Sequence, residues 1–348
     1  MTARPEAPHA PGRTQAPPGP LTFWSAFGAV AVTLAAYCWG RWVLSDDFTR
    51  TTPGDDPYRF LWYLRAFEVL SITATVGMLW WFVVRPWWST RHVPLDGKIL
   101  LGMMVAYVVD PTLNLFNHSF AMNAHSLSFG SWATYLPLFP SPGQERFAEG
   151  LLWAQPLYMY FGLLAAMGGC WVLGRLRRSL PRLGVVGHYA LLFGLFIVAD
   201  CVAEVGLLVY PQMYVFPGVP KDFSLFPGRI YQFPLYQSLF AAVFATMVTW
   251  LRDSVDETGR SAVERGVDAL PISSWRKQVL SYLAVTGFCT ASALSYFLPY
   301  SFATMYADTY IDLPSYLDDG AFCGTERTPS CPSQRLDRLE HPPVRENG

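Results

Sequence analysis

Four acids, Glu68, Asp110, Asp200 and Glu204, lie inside long apolar stretches of this chain. A charge in the hydrocarbon core of a bilayer costs several kcal/mol, roughly 2.5–3.5 on insertion scales. A helix carries such a residue only where the acid meets a partner, a polar cavity or a reaction. The constraint selects an all-α integral membrane protein with a carboxylate-lined interior, placed in the cell membrane as a multi-pass chain. Composition agrees, with 52% hydrophobic and only 15% charged residues, where a soluble domain carries about 25% charged. Aromatic clusters such as Trp80, Trp81, Trp87 and Trp88 sit at segment ends, as in an interfacial belt. A net charge of −1 leaves no basic footprint for nucleic acid. The partner expected from composition is the lipid bilayer, and the sequence sets no oligomeric state.

A crossing needs about 20 mostly apolar residues. About seven transmembrane helices are expected, near 22–44, 60–84, 97–118, 150–174, 186–210, 231–251 and 276–298. The organisation is then a Pro/Ala-rich disordered tail over 1–20, a helical domain over 21–300 and a polar C-terminal tail over 301–348. Lys and Arg alternate between segment ends. Arg85, Arg91 and Lys98 fall on one side with Arg175, Arg177, Arg178, Arg182, Arg252, Arg260 and Arg265. By the positive-inside rule the N-terminus is cytoplasmic and the C-terminus extracytoplasmic. Cys323 and Cys331, in the tail motif CGTERTPSC, then face an oxidising compartment. They are either a local disulfide or two exposed thiols. The connections 119–149 and 211–230 are apolar and aromatic for loops. They are expected at the interface, the first as a lid with a short helix.

Two constellations carry chemistry. In D110-P-T-L-N114-L-F-N117-H118, Asp110 and Asn114 share a helical face, as do Asn114 and Asn117. Pro111 withdraws a backbone donor and opens the helix beside Asp110. In D200-C-V-A-E204 the i,i+4 spacing puts two carboxyls on one face, with Cβ atoms about 6 Å apart. Two acids so close in a poorly solvated site do not both ionise, which leaves a proton donor beside a carboxylate. The bland alternative for both is polar helix packing. Glu68 is three residues after Arg65, so a structural ion pair explains it without chemistry. His118 and His125 stand at the outer ends and can donate protons or hydrogen bonds. Gln232, Tyr236 and Gln237 open the sixth segment and can bind an oxygenated ligand. No HxxxH spacing is present in the chain. By depth alone, Asp110, Asn114, Asp200, Glu204, Gln232 and Tyr236 can line one outer cavity.

The order of several motifs resembles the AveC-like spirocyclase family. These are DPTLN at 110–114, NAHSLSFGSW at 123–132, DCVAEVGLLVYP at 200–211, FPGRIYQFPLYQ at 226–237, ERGVDAL at 264–270, LPSY at 313–316 and the late cysteine pair. Gln237 stands where an acid is expected in such a pattern. The resemblance implies closure of a dihydroxy-ketone polyketide, an amphipathic small molecule, into a spiroketal, in some members with dehydration. That acid/base chemistry needs no metal or redox cofactor. Asp110, Asp200 and Glu204 are then the catalytic candidates. Asn114, Asn117, His118, His125, Gln232 and Tyr236 are the substrate-binding ones. A proton-coupled transporter and an isoprenoid-type membrane cyclase are the competing classes.

Overall fold

The computed structural model describes residues 19–46, 48–116, 119–137 and 149–317. Asn117, His118, Cys323 and Cys331 lie outside the described residues, as does nearly all of the N-terminal tail. The described chain is mostly helical, with strands of two residues each.

Each expected segment meets a helical rod. They are α1 (Pro20–Val43), α2 (Leu61–Leu79) running on into α3 (Arg85–Thr90), α4 (Leu95–Ala106), α5 (Ala154–Ser179), α6 (Val185–Glu204), α7 (Leu235–Asp253) and α8 (Ser274–Ala303). Five rods are long and apolar enough to cross a membrane: Pro20–Val43, Leu61–Thr90, Ala154–Ser179, Val185–Val209 and Ser274–Tyr306. The two rods built around α4 and α7 are not among these five. α4 is α-helical for only 12 residues and then tightens into a 3-10 helix over Tyr107–Asn114. Pro111 is the reason: its ring excludes the carbonyl four residues back, at Tyr107, from an α-helical bond. α7 begins with the polar Tyr236, Gln237 and Ser238 and ends with Arg252 and Asp253.

Successive rods alternate in direction. Their ends form a capped pole and a charged pole. The cap is built from the loops 119–137 and 211–234 and from residues 307–317, joined by short antiparallel pairs. Ala121–Met122 (β1) pairs with Tyr214–Val215 (β2), Gly218–Val219 (β3) with Thr309–Tyr310 (β6), and Ser224–Leu225 (β4) with Phe233–Pro234 (β5). The loop that was expected as a lid does fold back on the bundle. Trp132 is buried and donates to the Val108 carbonyl (2.7 Å), and Trp42 of α1 donates to the Phe129 carbonyl (3.1 Å). Residues 301–317, the expected start of the polar tail, are also held. Ala124 N–H donates to the Tyr316 carbonyl (2.7 Å), and Leu317 is buried.

α8 is the central rod, packed on α1, α4 and α7. Its approach to α1 is close enough that a Cβ on Gly28 would lie 1.8 Å from the Leu283 carbonyl oxygen. Small residues let helices meet this way without a hydrophobic drive between them.

Ion pairs gather at the charged pole: Arg177 with Asp253 (2.6 Å), Arg252 with Asp96 (2.8 Å) and Lys98 with Glu264 (2.6 Å). The last is buried, and Lys98 Nζ also donates to Ser281 Oγ (2.6 Å). Burial opposes ionisation of Glu264, but the Lys98 ammonium and the Ser261 and Ser281 hydroxyls outweigh it. They hold its carboxyl below the ordinary value of 4.5. A carboxyl with a depressed folded value stabilises the fold above its unfolded value and loses that contribution as pH falls through the folded one. Detergent-solubilised protein should therefore lose thermal stability below pH 4.5 more steeply than Glu264→Gln does. Breaking the pair with Lys98→Met should cost about 3–5 kcal/mol, whereas a double Met replacement should be near neutral. Thermal unfolding of the three variants checks both points.

Candidate active site

Asp200 and Glu204 sit one turn apart near the capped end of α6. Directly after Glu204 the helix widens into a π turn over Val205–Val209. Such turns insert a residue into the helical ladder and recur at functional sites. The Glu204 carboxyl accepts a short hydrogen bond from the Tyr214 hydroxyl and one from Gln237 Nε2 (2.8 Å). Gln237 also donates to the Tyr296 hydroxyl of α8. Asp200 lies beside Glu204 and close to Ser238, although neither its Oδ2 nor the Ser238 hydroxyl has a hydrogen-bond partner among the described residues. The expected one-face arrangement is therefore present, and two carboxyls in contact need a shared proton between them.

Asp110 enters from the 3-10 segment. Its carboxyl reaches the Tyr158 hydroxyl of α5 and the carboxyl of Glu149. Glu149 lies at the entry to α5. It accepts from the Tyr107 hydroxyl (2.9 Å) and from Ser131 Oγ of the folded-back loop (3.1 Å). Burial, then the neighbouring Asp110 charge, pushes the Glu149 carboxyl well above the ordinary carboxylate range. Burial and the Asp110 charge thus both favour the protonated form of Glu149, in which it can donate to Asp110.

Three of these acids face one cavity of about 630 Å³, which Asp110, Asp200, Glu204, Tyr158, Gln237 and Tyr296 all line, while Glu149 stands behind Asp110 and off the cavity wall. Cavities of roughly 300–1,000 Å³ hold drug-sized ligands. Its other walls are apolar and aromatic, including Phe67, Phe120, Trp153, Phe161 and Phe244. Asp110 Oδ1, Asp200 Oδ2, Glu204 Oε2 and Gln237 Oε1 are buried without a hydrogen-bond donor from the protein. Shared protons or the hydroxyls of a bound molecule can satisfy them. Each orphan otherwise costs about 1–3 kcal/mol or more.

The other candidate residues lie elsewhere. Asn114 is consumed by the cap: its Oδ1 accepts from the backbone N–H groups of Ser119 and Phe120 (both 3.0 Å), and its Nδ2 donates to the Phe120 carbonyl (3.0 Å). Gln232 is spent likewise, donating to the Phe216 carbonyl (2.8 Å) and accepting from Gly228 N–H (2.9 Å). Tyr236 is buried against Tyr300 and does not line the cavity. His125 stacks on Tyr58, with ring centroids 5.2 Å apart, also away from the cavity. Glu68 pairs with Arg65 (2.6 Å) and accepts from Leu127 N–H (3.0 Å). It pins the cap loop to α2, as the spacing from Arg65 suggested.

A family model described as Spirocyclase AveC-like matches residues 90–313. The chain belongs to the AveC-like spirocyclase family. No curated protein and no solved structure matches it. The matched span runs from the start of α4 to the cap residues after α8, so it contains both acid pairs and every polar residue of the cavity wall named above. Family membership implies a cyclase role of the spirocyclase type.

Asn114→Ala strands two backbone N–H groups of the cap. It should lower stability by about 2–4 kcal/mol, read as a fall in the unfolding midpoint. Asn114→Asp keeps the acceptor for both N–H groups and should recover part of the loss.

Proposed function

We propose that this protein is a membrane-embedded spirocyclase that closes a dihydroxy-ketone chain, polyketide-like and amphipathic, into a spiroketal. The observation that carries the reading is that three carboxyls, Asp110 from the 3-10 segment and Asp200 and Glu204 from α6, line one largely apolar cavity. In this reading all seven rods cross the bilayer, with the charged pole in the cytoplasm and the cap outside. The alternating rod directions and the basic residues gathered at one pole support that orientation.

Closure begins when one substrate hydroxyl adds to the ketone and forms a hemiketal. The proton shared by Asp200 and Glu204 passes to the hemiketal hydroxyl. The carbon–oxygen bond breaks, water leaves, and an oxocarbenium-like carbon remains. Asp110, with Glu149 beside it, lines the same cavity and stabilises the charge on that carbon. The second substrate hydroxyl then bonds to the carbon. Its proton returns to the Asp200–Glu204 pair, which ends the cycle as it began. The sum is loss of one water. This is the division of labour between acid and carboxylate in glycoside hydrolysis, applied to a ketal. Tyr158, Tyr296 and Gln237 are placed to hold the chain's oxygens, and the aromatic walls fix which face of the cation is attacked.

Those aromatic walls also favour a second reading. Rings such as Phe161 and Phe244 suit an alkene-derived carbocation, as an isoprenoid-type cyclase requires. Three carboxyls on one cavity exceed what alkene protonation needs, and the family match favours the ketal.

The test is cyclisation of a synthetic dihydroxy-ketone by protein in vesicles, followed for both rate and diastereomer ratio, since spiroketals also close unaided. General acid catalysis contributes about 10²–10⁴-fold. Glu204→Gln and Asp200→Asn should each slow closure by that order and return the product ratio toward that of the uncatalysed reaction. Unchanged rate and ratio in variants with wild-type unfolding midpoints would exclude this assignment.

A further inference from the structure

The cavity is not closed on all sides. Three residues that line it are also largely exposed at the surface of the bundle: Leu70 of α2 (65%), Leu207 of the π turn (52%) and Leu164 of α5 (49%). A side chain that both lines a cavity and stands about half or more in the surroundings marks a breach. α2 and α6 are latched near the cap, where the Tyr63 hydroxyl donates to the Leu207 carbonyl (2.9 Å) and Phe60 meets Tyr210 (centroids 5.9 Å apart). Farther from the cap the two helices line the cavity with Leu70, Ala74 and Met78 on one side and Phe196, Ala199 and Ala203 on the other. The breach therefore lies along the flank of the bundle, below the latch and away from the capped pole.

A shallow groove on the outward face of α6 continues from it. The groove is lined by Leu195, Val198, Ala199, Val202, Gly206 and Leu207, with Ala203 between them. Ala199, Ala203 and Leu207 belong to both groove and cavity. No charged residue lines the groove, and α6 is the least buried of the five long apolar rods. Groove, breach and cavity thus form one apolar path that ends at Asp200 and Glu204, which are carried by the same helix.

We infer that the groove and breach on α6 are a lateral portal, through which an amphipathic chain enters from the bilayer and its apolar part rests against Ala199 and Ala203. The chain slides in sideways with its oxygenated part leading, so its polar groups reach the carboxyls without crossing the cap. The portal rests on the spirocyclase reading only for the identity of the natural cargo.

The test needs no turnover. Protein in phosphatidylcholine vesicles is irradiated with a long-chain fatty alcohol carrying a mid-chain diazirine, and labelled residues are mapped by mass spectrometry. Labels should appear inside, on Trp153, Tyr158 or Tyr296, as well as on the groove. Ala203→Trp should cut interior labelling by an order of magnitude while groove labels at Leu195 and Val198 persist. Ala199→Phe repeats the block one turn earlier, in case the first variant folds poorly. Val198→Trp, on the groove but off the cavity, should label like wild type. Interior labels that survive both blocks, or that never form in wild type, would overturn the portal. The labelling requires no cyclisation and the closure assay requires no label, so a failed portal and a failed spirocyclase assignment give different results.

Discussion

A carboxyl taken out of water must be met by a donor or a proton, and this fold is arranged around meeting such groups. The 3-10 segment after α4 carries Asp110 and α6 carries Asp200 and Glu204, yet most of their partners come from other elements. Glu149 and Ser131 come from the connection that folds back over the bundle, Tyr214 from the strand after α6, Tyr158 from α5, and Gln237 and Tyr296 from α7 and α8. Bundle and cap are therefore interdependent. Removing the cap would leave the acids without Tyr214 and Glu149, and removing the acids would leave the cap's buried polar groups unpaired. Uncompensated charges of this kind cost several kcal/mol each, more than the packing of any one aromatic contact in the cap.

Pro111 shows how a single local feature aims the site. An α-helix continued through 107–114 would turn about 100° per residue, whereas the 3-10 form turns about 120°. Over the three residues from Tyr107 to Asp110 the difference brings both side chains onto the same face. There Tyr107 reaches Glu149 and Glu149 reaches Asp110. The π turn after Glu204 works in the opposite sense by widening the helix beside the second acid pair. These two departures from regular helix lie at the carboxyls, where local irregularity is expected if a site rather than packing set the sequence, whereas a further π turn, over Trp80–Val84, lies away from them.

What the sequence made legible follows from range. The helical rods are local, and hydropathy together with the Lys/Arg pattern located all of them to within a few residues. Asp200 and Glu204 share a face by spacing alone, and Asp110 was conspicuous because an acid, a proline and an asparagine crowd one apolar segment. Glu149 was not legible. It ends a polar run, PSPGQERFAEG, that looks like any solvated loop, and its burial rests on distant partners, Tyr107 and Ser131. Tyr158, Tyr214 and Tyr296 were hidden by the abundance of tyrosine at helix ends, where interfacial anchoring is an equally good account. Asn114 and Gln232 were found at the right depth for a cavity, but depth cannot tell a residue that faces a ligand from one that ties off a loop. Both tie off loops here, because the cap's backbone N–H and C=O groups have no regular sheet to satisfy them.

α6 combines two demands that usually fall on different helices. Its inner side holds the acid pair, which calls for a tight and specific surround, while its outer side is almost bare of protein contacts and apolar throughout. A helix packed on all sides would hold the carboxyls more firmly but would close the flank. A helix free on all sides would leave the carboxyls without partners. The structure divides the demands along the helix axis. Tyr63, Phe60 and Tyr214 grip α6 beside Glu204 and the π turn, at the capped end. The small residues Ala199 and Ala203 keep the adjoining stretch thin where the cavity reaches the surface. The grip fixes the geometry of the acid pair, and the thin stretch leaves an apolar way from the bundle surface to the same two carboxyls.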